Sequence, residues 1–141
     1  MGRLAELGRL SATERRVLAL AWMLLLAAPL WLRLLPLRRL VVSPRAGRTP
    51  RLPPKRVAQL VDIASRRVPG ARCLPVAVVT AWLLAWQGAA ATLRIGVARD
   101  AGDLAAHAWA ECDGVPLAAG KIDDYRALVS IAAPVAPEAH R

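Results

Sequence analysis

The apolar residues of this chain change their spacing along its length, and the changes mark out the elements. From Val17 to Leu32 there are 16 residues without a charge, interrupted by Pro29. Just ahead, Ser11-Ala12-Thr13-Glu14 carries the capping-box pattern, so a helix is expected from about Ala12. After Pro53-Pro54, the residues Val57, Leu60, Val61, Ala64 and Val68 recur at i, i+3, i+4, i+7 and i+11, with Lys55, Arg56, Arg66 and Arg67 off that stripe. One face of this helix packs and the other is basic. A further helix, Pro75 to about Gln87, is apolar nearly all round, with Gly88 at the usual C′ position, which marks it as central. The period then falls to two: Ala91, Leu93, Ile95 and Val97 alternate with Thr92, Arg94, Gly96 and Ala98. A polar turn at Arg99 to Asp103 leads into a strand from about Ala105 to Cys112. Asp113-Gly114 is a strong hairpin signal and returns the chain through Val115, Leu117 and Ala119, with Pro116 implying an edge or a bulge. Ile122 to Ala133 reads as either a short strand or a helix. Helices followed by an antiparallel sheet define an α+β domain.

The organisation follows: an apolar and basic helical region over 1–41, a Pro/Arg-rich linker over 42–54, a core over 55–133 and a loose tail over 134–141. The run at Val17 falls short of the roughly 20 residues that cross a bilayer, although Leu34 to Leu37 would lengthen it if Arg33 snorkelled. A buried or partner-facing helical hairpin is therefore read ahead of membrane-surface attachment, with a true span last.

Charge is unevenly placed. Of the net +10, Met1 to Arg72 holds 15 Lys and Arg against 3 acidic residues, or +12, and Cys73 to Arg141 holds 5 against 7, or −2. Nucleic acid is not the expected partner, because a basic sheet with aromatics, a zinc spacing and a recognition helix are all missing. An acidic peptide, an acidic protein or an anionic membrane surface accounts for the excess equally well. Two cysteines make no disulfide framework, and a reducing cytoplasm, with membrane association as an option, is the expected setting.

The candidate chemistry begins at Val68-Pro69-Gly70-Ala71-Arg72-Cys73-Leu74-Pro75. Pro69-Gly70 stops the preceding element and Pro75 suits a first helical turn, so Cys73 sits at or beside a helix N-terminus with Arg72 next to it. That electropositive setting suits a nucleophile. A small core cysteine is the plainer reading. The second part is Ala106-His107-Ala108-Trp109-Ala110-Glu111. Strand alternation puts His107, Trp109 and Glu111 on one face and Ala108, Ala110 and Cys112 on the other, so Cys112 points away from the imidazole and Cys73 is the useful thiol. A Cys–His pair supplies a nucleophile and the base that takes its proton.

These residues, extended through Cys112-Asp113-Gly114, resemble the transglutaminase-like cysteine peptidases of lasso-peptide biosynthesis, and more closely the stand-alone leader peptidase that corresponds to the C-terminal half of the fused B protein. The resemblance implies a papain/transglutaminase-like core with a central Cys-bearing helix on a small antiparallel sheet. It implies attack by Cys73 on the bond joining leader to core, with His107 as its base, and it calls for no cofactor and no metal. No segment is left over for leader recognition, so the resemblance also implies a separate leader-binding protein and, downstream, an ATP-dependent macrolactam synthetase. The family's third residue is an aspartate that orients the histidine. Asp113 falls at the hairpin tip, roughly 20 Å from the imidazole at about 3.3 Å per residue. Ala119 and Gly120, which reach His107 across the hairpin, carry no carboxylate. Asp123 is the nearest candidate if Pro116 introduces a bulge, with Asp124 next and a loop carboxylate or backbone carbonyl as the remaining alternative. The amide of Cys73 is the expected oxyanion donor, since Pro75 has none. Two rivals remain: a related amidase or acyl transferase on another substrate, and a non-catalytic basic adaptor for a membrane or partner.

Overall fold

The computed structural model of the chain describes residues 8–45, 47–49, 51–100, 102–117 and 125–132. The capping box closes as its spacing predicts. The Glu14 amide donates to Ser11 Oγ at 3.2 Å and the Ser11 amide donates to Glu14 Oε2 at 2.9 Å, which starts α1 (Ala12–Leu26). Glu14 Oε1 also accepts from Arg56 Nε at 2.7 Å, and this bond ahead of the Ser11 amide holds its carboxyl below the usual range.

Helix α1 ends one residue before α2 (Ala28–Leu34), whose first turn contains Pro29. The expected hairpin does not form, because a break of a single residue at Ala27 leaves no loop in which the chain can reverse. The two helices instead meet at a bend of 60°. Their inner side, with Ala21, Leu25, Ala28 and Trp31, is buried in the common core, and the Trp31 ring lies 4.8 Å from that of Trp82.

After a 3₁₀ turn at Leu37–Arg39 the described residues before α3 (Pro54–Ser65) are irregular. It is nevertheless tied to the core. Leu40 and Val41 are buried, Trp82 Nε1 donates to the Leu40 carbonyl, the Arg45 amide donates to the Ala85 carbonyl at 2.9 Å, and Gln87 Nε2 donates to the Leu52 carbonyl at 2.9 Å. In α3, Val57, Leu60, Val61 and Ala64 are buried, as their periodicity requires.

Helix α4 (Cys73–Trp86) is the centre, with every residue from Ala77 to Ala85 buried. It begins two residues earlier than Pro75 suggests. Pro75 is the third helical residue, where an N–H would still lack a partner in the helix, so proline costs nothing there. The first amide to donate is that of Val76, to the Arg72 carbonyl at 3.3 Å. The other end closes at Gly88, whose φ of 93° is left-handed. Its amide donates to the Ala85 carbonyl and that of Ala89 to the Leu84 carbonyl, the Schellman pattern.

Strands β1 (Thr92–Asp100), β2 (Asp103–Cys112), β3 (Val115–Pro116) and β4 (Arg126–Ala132) form one antiparallel sheet in the order β3-β2-β1-β4. Cys112 pairs with Val115, and Asp113 and Gly114 both have positive φ, 52° and 76°, the two-residue turn expected of Asp-Gly. Among the described residues β3 is only two residues long and sits at an edge, as Pro116 demands. The ambiguous stretch after Ile122 contributes a strand, β4, on the opposite edge beside β1. Leu93, Ala108 and Cys112 turn their side of the sheet into the core shared with α3 and α4. The molecule is α+β, with the cysteine-bearing helix packed on a small antiparallel sheet.

Candidate active site

Cys73 is the first residue of α4, and its N-cap, Arg72, makes no side-chain capping bond. The amides of Cys73 and Leu74 thus open the helix ahead of its first intrahelical donor. The thiol is partly exposed. Across from it runs the middle of β2. Cys73 and His107 both line one cavity of about 450 Å³, walled by α3, the start of α4, His107 to Ala110 and Leu117. Among the described residues no hydrogen bond joins thiol to imidazole.

His107 stands among aromatic rings. Its centroid is 6.1 Å from Trp109, with the planes 25° apart, and 5.3 Å from Tyr125. Burial pushes its pKa below the ordinary 6.5, so the neutral imidazole, the form that accepts a proton, prevails at pH 7. Trp109 is itself fixed. Its Nε1 donates to Glu111 Oε1 at 3.2 Å, and Glu111 Oε2 accepts from Arg94 Nε at 2.9 Å. The Trp109 ring extends over Gly96, where a Cβ would come within 2.8 Å of it.

A family model described as the transglutaminase-like superfamily matches residues 14–132. The chain belongs to that superfamily. No curated protein and no solved structure matches it. Transglutaminase-like proteins are in general enzymes built on a cysteine, and in this one the matched span runs from the first turn of α1 to the end of β4.

The other cysteine of this transglutaminase-like chain is placed differently. Cys112 is buried in the core on the far side of β2 from His107 and Trp109. Burial, and secondarily the charge of Asp113, pushes its thiol pKa up. Asp113 is exposed at the tip of the two-residue turn, six positions along the chain from His107. Asp123 and Asp124 lie outside the described residues. Among the described residues, the carboxylate that lines the cavity is Asp62, paired with Arg66 Nη2 at 2.8 Å. Sequence reasoning missed it, although Lys55, Gln59, Asp62 and Arg66 recur at i, i+4, i+7 and i+11 on the polar side of α3. Tyr125 was missed as well, and no motif surrounding it signals a place beside the imidazole.

Proposed function

We propose that this transglutaminase-like protein is a cysteine peptidase that removes the leader from a lasso-peptide precursor. The observation that supports the reading is that Cys73, at the start of α4, and His107, on β2, both line one cavity, and that burial keeps the imidazole neutral at pH 7. In the proposed reaction His107 takes the thiol proton as Sγ attacks the carbonyl carbon of the leader–core bond. The C–N bond breaks, the imidazolium gives its proton to the departing amine, and the leader remains as a thioester on Cys73. Water, deprotonated by the same imidazole, then releases the leader as a carboxylate and restores the thiol. The Cys73 amide is the proposed oxyanion donor.

The reading extends to partners through the chemistry of the products. The freed amine of the core peptide is the group an ATP-dependent macrolactam synthetase needs, and a separate leader-binding protein would deliver the precursor. The basic first part of the chain suits an acidic leader or carrier. Asp123 is the proposed orienting residue.

Incubating the purified protein with precursor and leader-binding protein, followed by mass spectrometry, tests the reading. The wild type should yield free leader and core, and the Cys73→Ala variant, folded but inert, should yield neither. Cleavage by that variant would refute the assignment, and an amide product on adding a primary amine would indicate an acyl transferase instead.

A further inference from the structure

The outer side of α1 and α2 is apolar to an extent that the packing among the described residues does not use. Met23, Leu30 and Leu34 are 62%, 62% and 70% exposed, with Leu20, Trp22 and Leu26 also exposed beside them. From Ala19 to Leu30 the only polar side-chain group is the indole N–H of Trp22. Exposed large apolar side chains grouped in this way mark an interaction surface.

We infer that this face seats the protein on the surface of an anionic lipid bilayer, lying in its interface without crossing it. Three observations select lipid as the occupant. First, protein interfaces use about one hydrogen bond per 100–200 Å², and this run supplies almost no group to make one, whereas acyl chains require none. Second, the patch is followed by Arg33, Arg38 and Arg39, all exposed and without an ion pair among the described residues, the arrangement that attracts acidic headgroups. Third, Trp22 has the apolar body and polar edge of an interfacial anchor. Crossing is disfavoured by the same geometry. Among the described residues no single helix is long and apolar enough to span, and α1 and α2 are bent by 60°. The inner side of the pair, with Leu25 1% and Trp31 8% exposed, belongs to the core built around α4, and insertion of either helix would dismantle that core.

Vesicle sedimentation with the full chain tests this independently of any peptidase assay. Binding to phosphatidylcholine vesicles containing about 30 mol % phosphatidylglycerol should exceed binding to pure phosphatidylcholine by roughly tenfold, and weaken at about 0.5 M salt. The double variant Met23→Glu/Leu30→Glu, at two exposed positions, should fold normally by circular dichroism and lose binding roughly tenfold. Quenching of tryptophan fluorescence by brominated lipid should fall in Trp22→Phe. Leu104→Glu, at an exposed position on β2, should bind as wild type. Absence of binding to acidic vesicles, or binding unaffected by the double variant, overturns the inference. Failure of vesicle binding together with loss of partner-dependent cleavage in the double variant would assign the face to a protein.

Discussion

The Tyr125 ring stands 5.3 Å from the His107 ring and tilts 44° against it, although β4 pairs with β1 and not with β2. Gly96 pairs with His107 on one side and with Ala127 of β4 on the other, so a single residue of β1 separates β2 from β4 at this level. Tyr125 thus helps to keep water off the imidazole. Tyr125→Ala should let the pKa of His107 rise toward 6.5, while Tyr125→Phe should leave it low. The acid limb of kcat/KM for precursor cleavage should lie below 6.5 in the wild type and shift upward in Tyr125→Ala. An NMR titration of the imidazole gives the same answer without turnover.

The same shift has a consequence for stability, with a definite sign. A histidine whose folded pKa is depressed binds fewer protons in the native state than in the unfolded one, so its protonation opposes folding. Stability should therefore fall as pH drops below 6.5 and level off beneath the folded pKa. His107→Gln should flatten that dependence in denaturant melts taken across the range. A slope unchanged in the variant would assign the acid sensitivity to other groups.

Gly96 is a position where an added methyl has nowhere to go. A Cβ there would sit 2.8 Å from the Trp109 ring and 2.9 Å from the carbonyl oxygen of Arg126, one a packed ring and the other backbone. Gly96→Ala should cost about 1–3 kcal/mol in chemical denaturation, the range of an overpacked core. It should also reduce cleavage, since the ring that must move lies next to His107.

Glu111 bonds the indole of Trp109, whose ring stacks near His107. Its two oxygens hold Trp109 Nε1 and Arg94 Nε, so removing the carboxylate frees the indole that borders the imidazole. Glu111→Ala should lower kcat several-fold with little change in KM, and Glu111→Gln, which can still accept from the indole, should recover most of the loss. The stability cost should be small, about 1 kcal/mol, because Arg94 is partly exposed and solvent screens the ion pair. Equal losses in the two variants would show that the charge, rather than ring position, is what matters.

The two thiols should separate cleanly in an alkylation experiment at neutral pH. Cys73 opens onto the cavity, whereas Cys112 is 6% exposed with its pKa raised by burial. Iodoacetamide should label Cys73 in the native protein and Cys112 only after unfolding, as peptide mapping will show. Cys112→Ala should retain activity.

How much of this could be read from the sequence depended on the range over which each signal acts. The Ser11–Glu14 cap, the stripe of α3, the Asp113-Gly114 turn and the two faces of β2 are local patterns, and each appears where its residues place it. The all-apolar helix after Arg72 was legible as the centre for the same reason. What failed involved geometry between elements. The sequence from Val17 to Leu37 does not show whether a break at Ala27 reverses the chain or bends it, because packing of Trp31 on Trp82 helps to set that angle. Asp62 is invisible as a cavity residue until α3 is docked beside α4. Tyr125 reaches His107 from beyond an intervening strand, and no sequence motif records such a contact.

Burial along almost the whole length of α4 has a consequence for how this site can diversify. A helix gripped on every side cannot shift to suit a new substrate without loosening the molecule, so the sulfur at its tip is a fixed point. Changes in preference must then arise on neighbours that are free to vary, chiefly the polar side of α3. Under the proposed reaction, such a protein can alter which peptides it admits while the position of attack stays put.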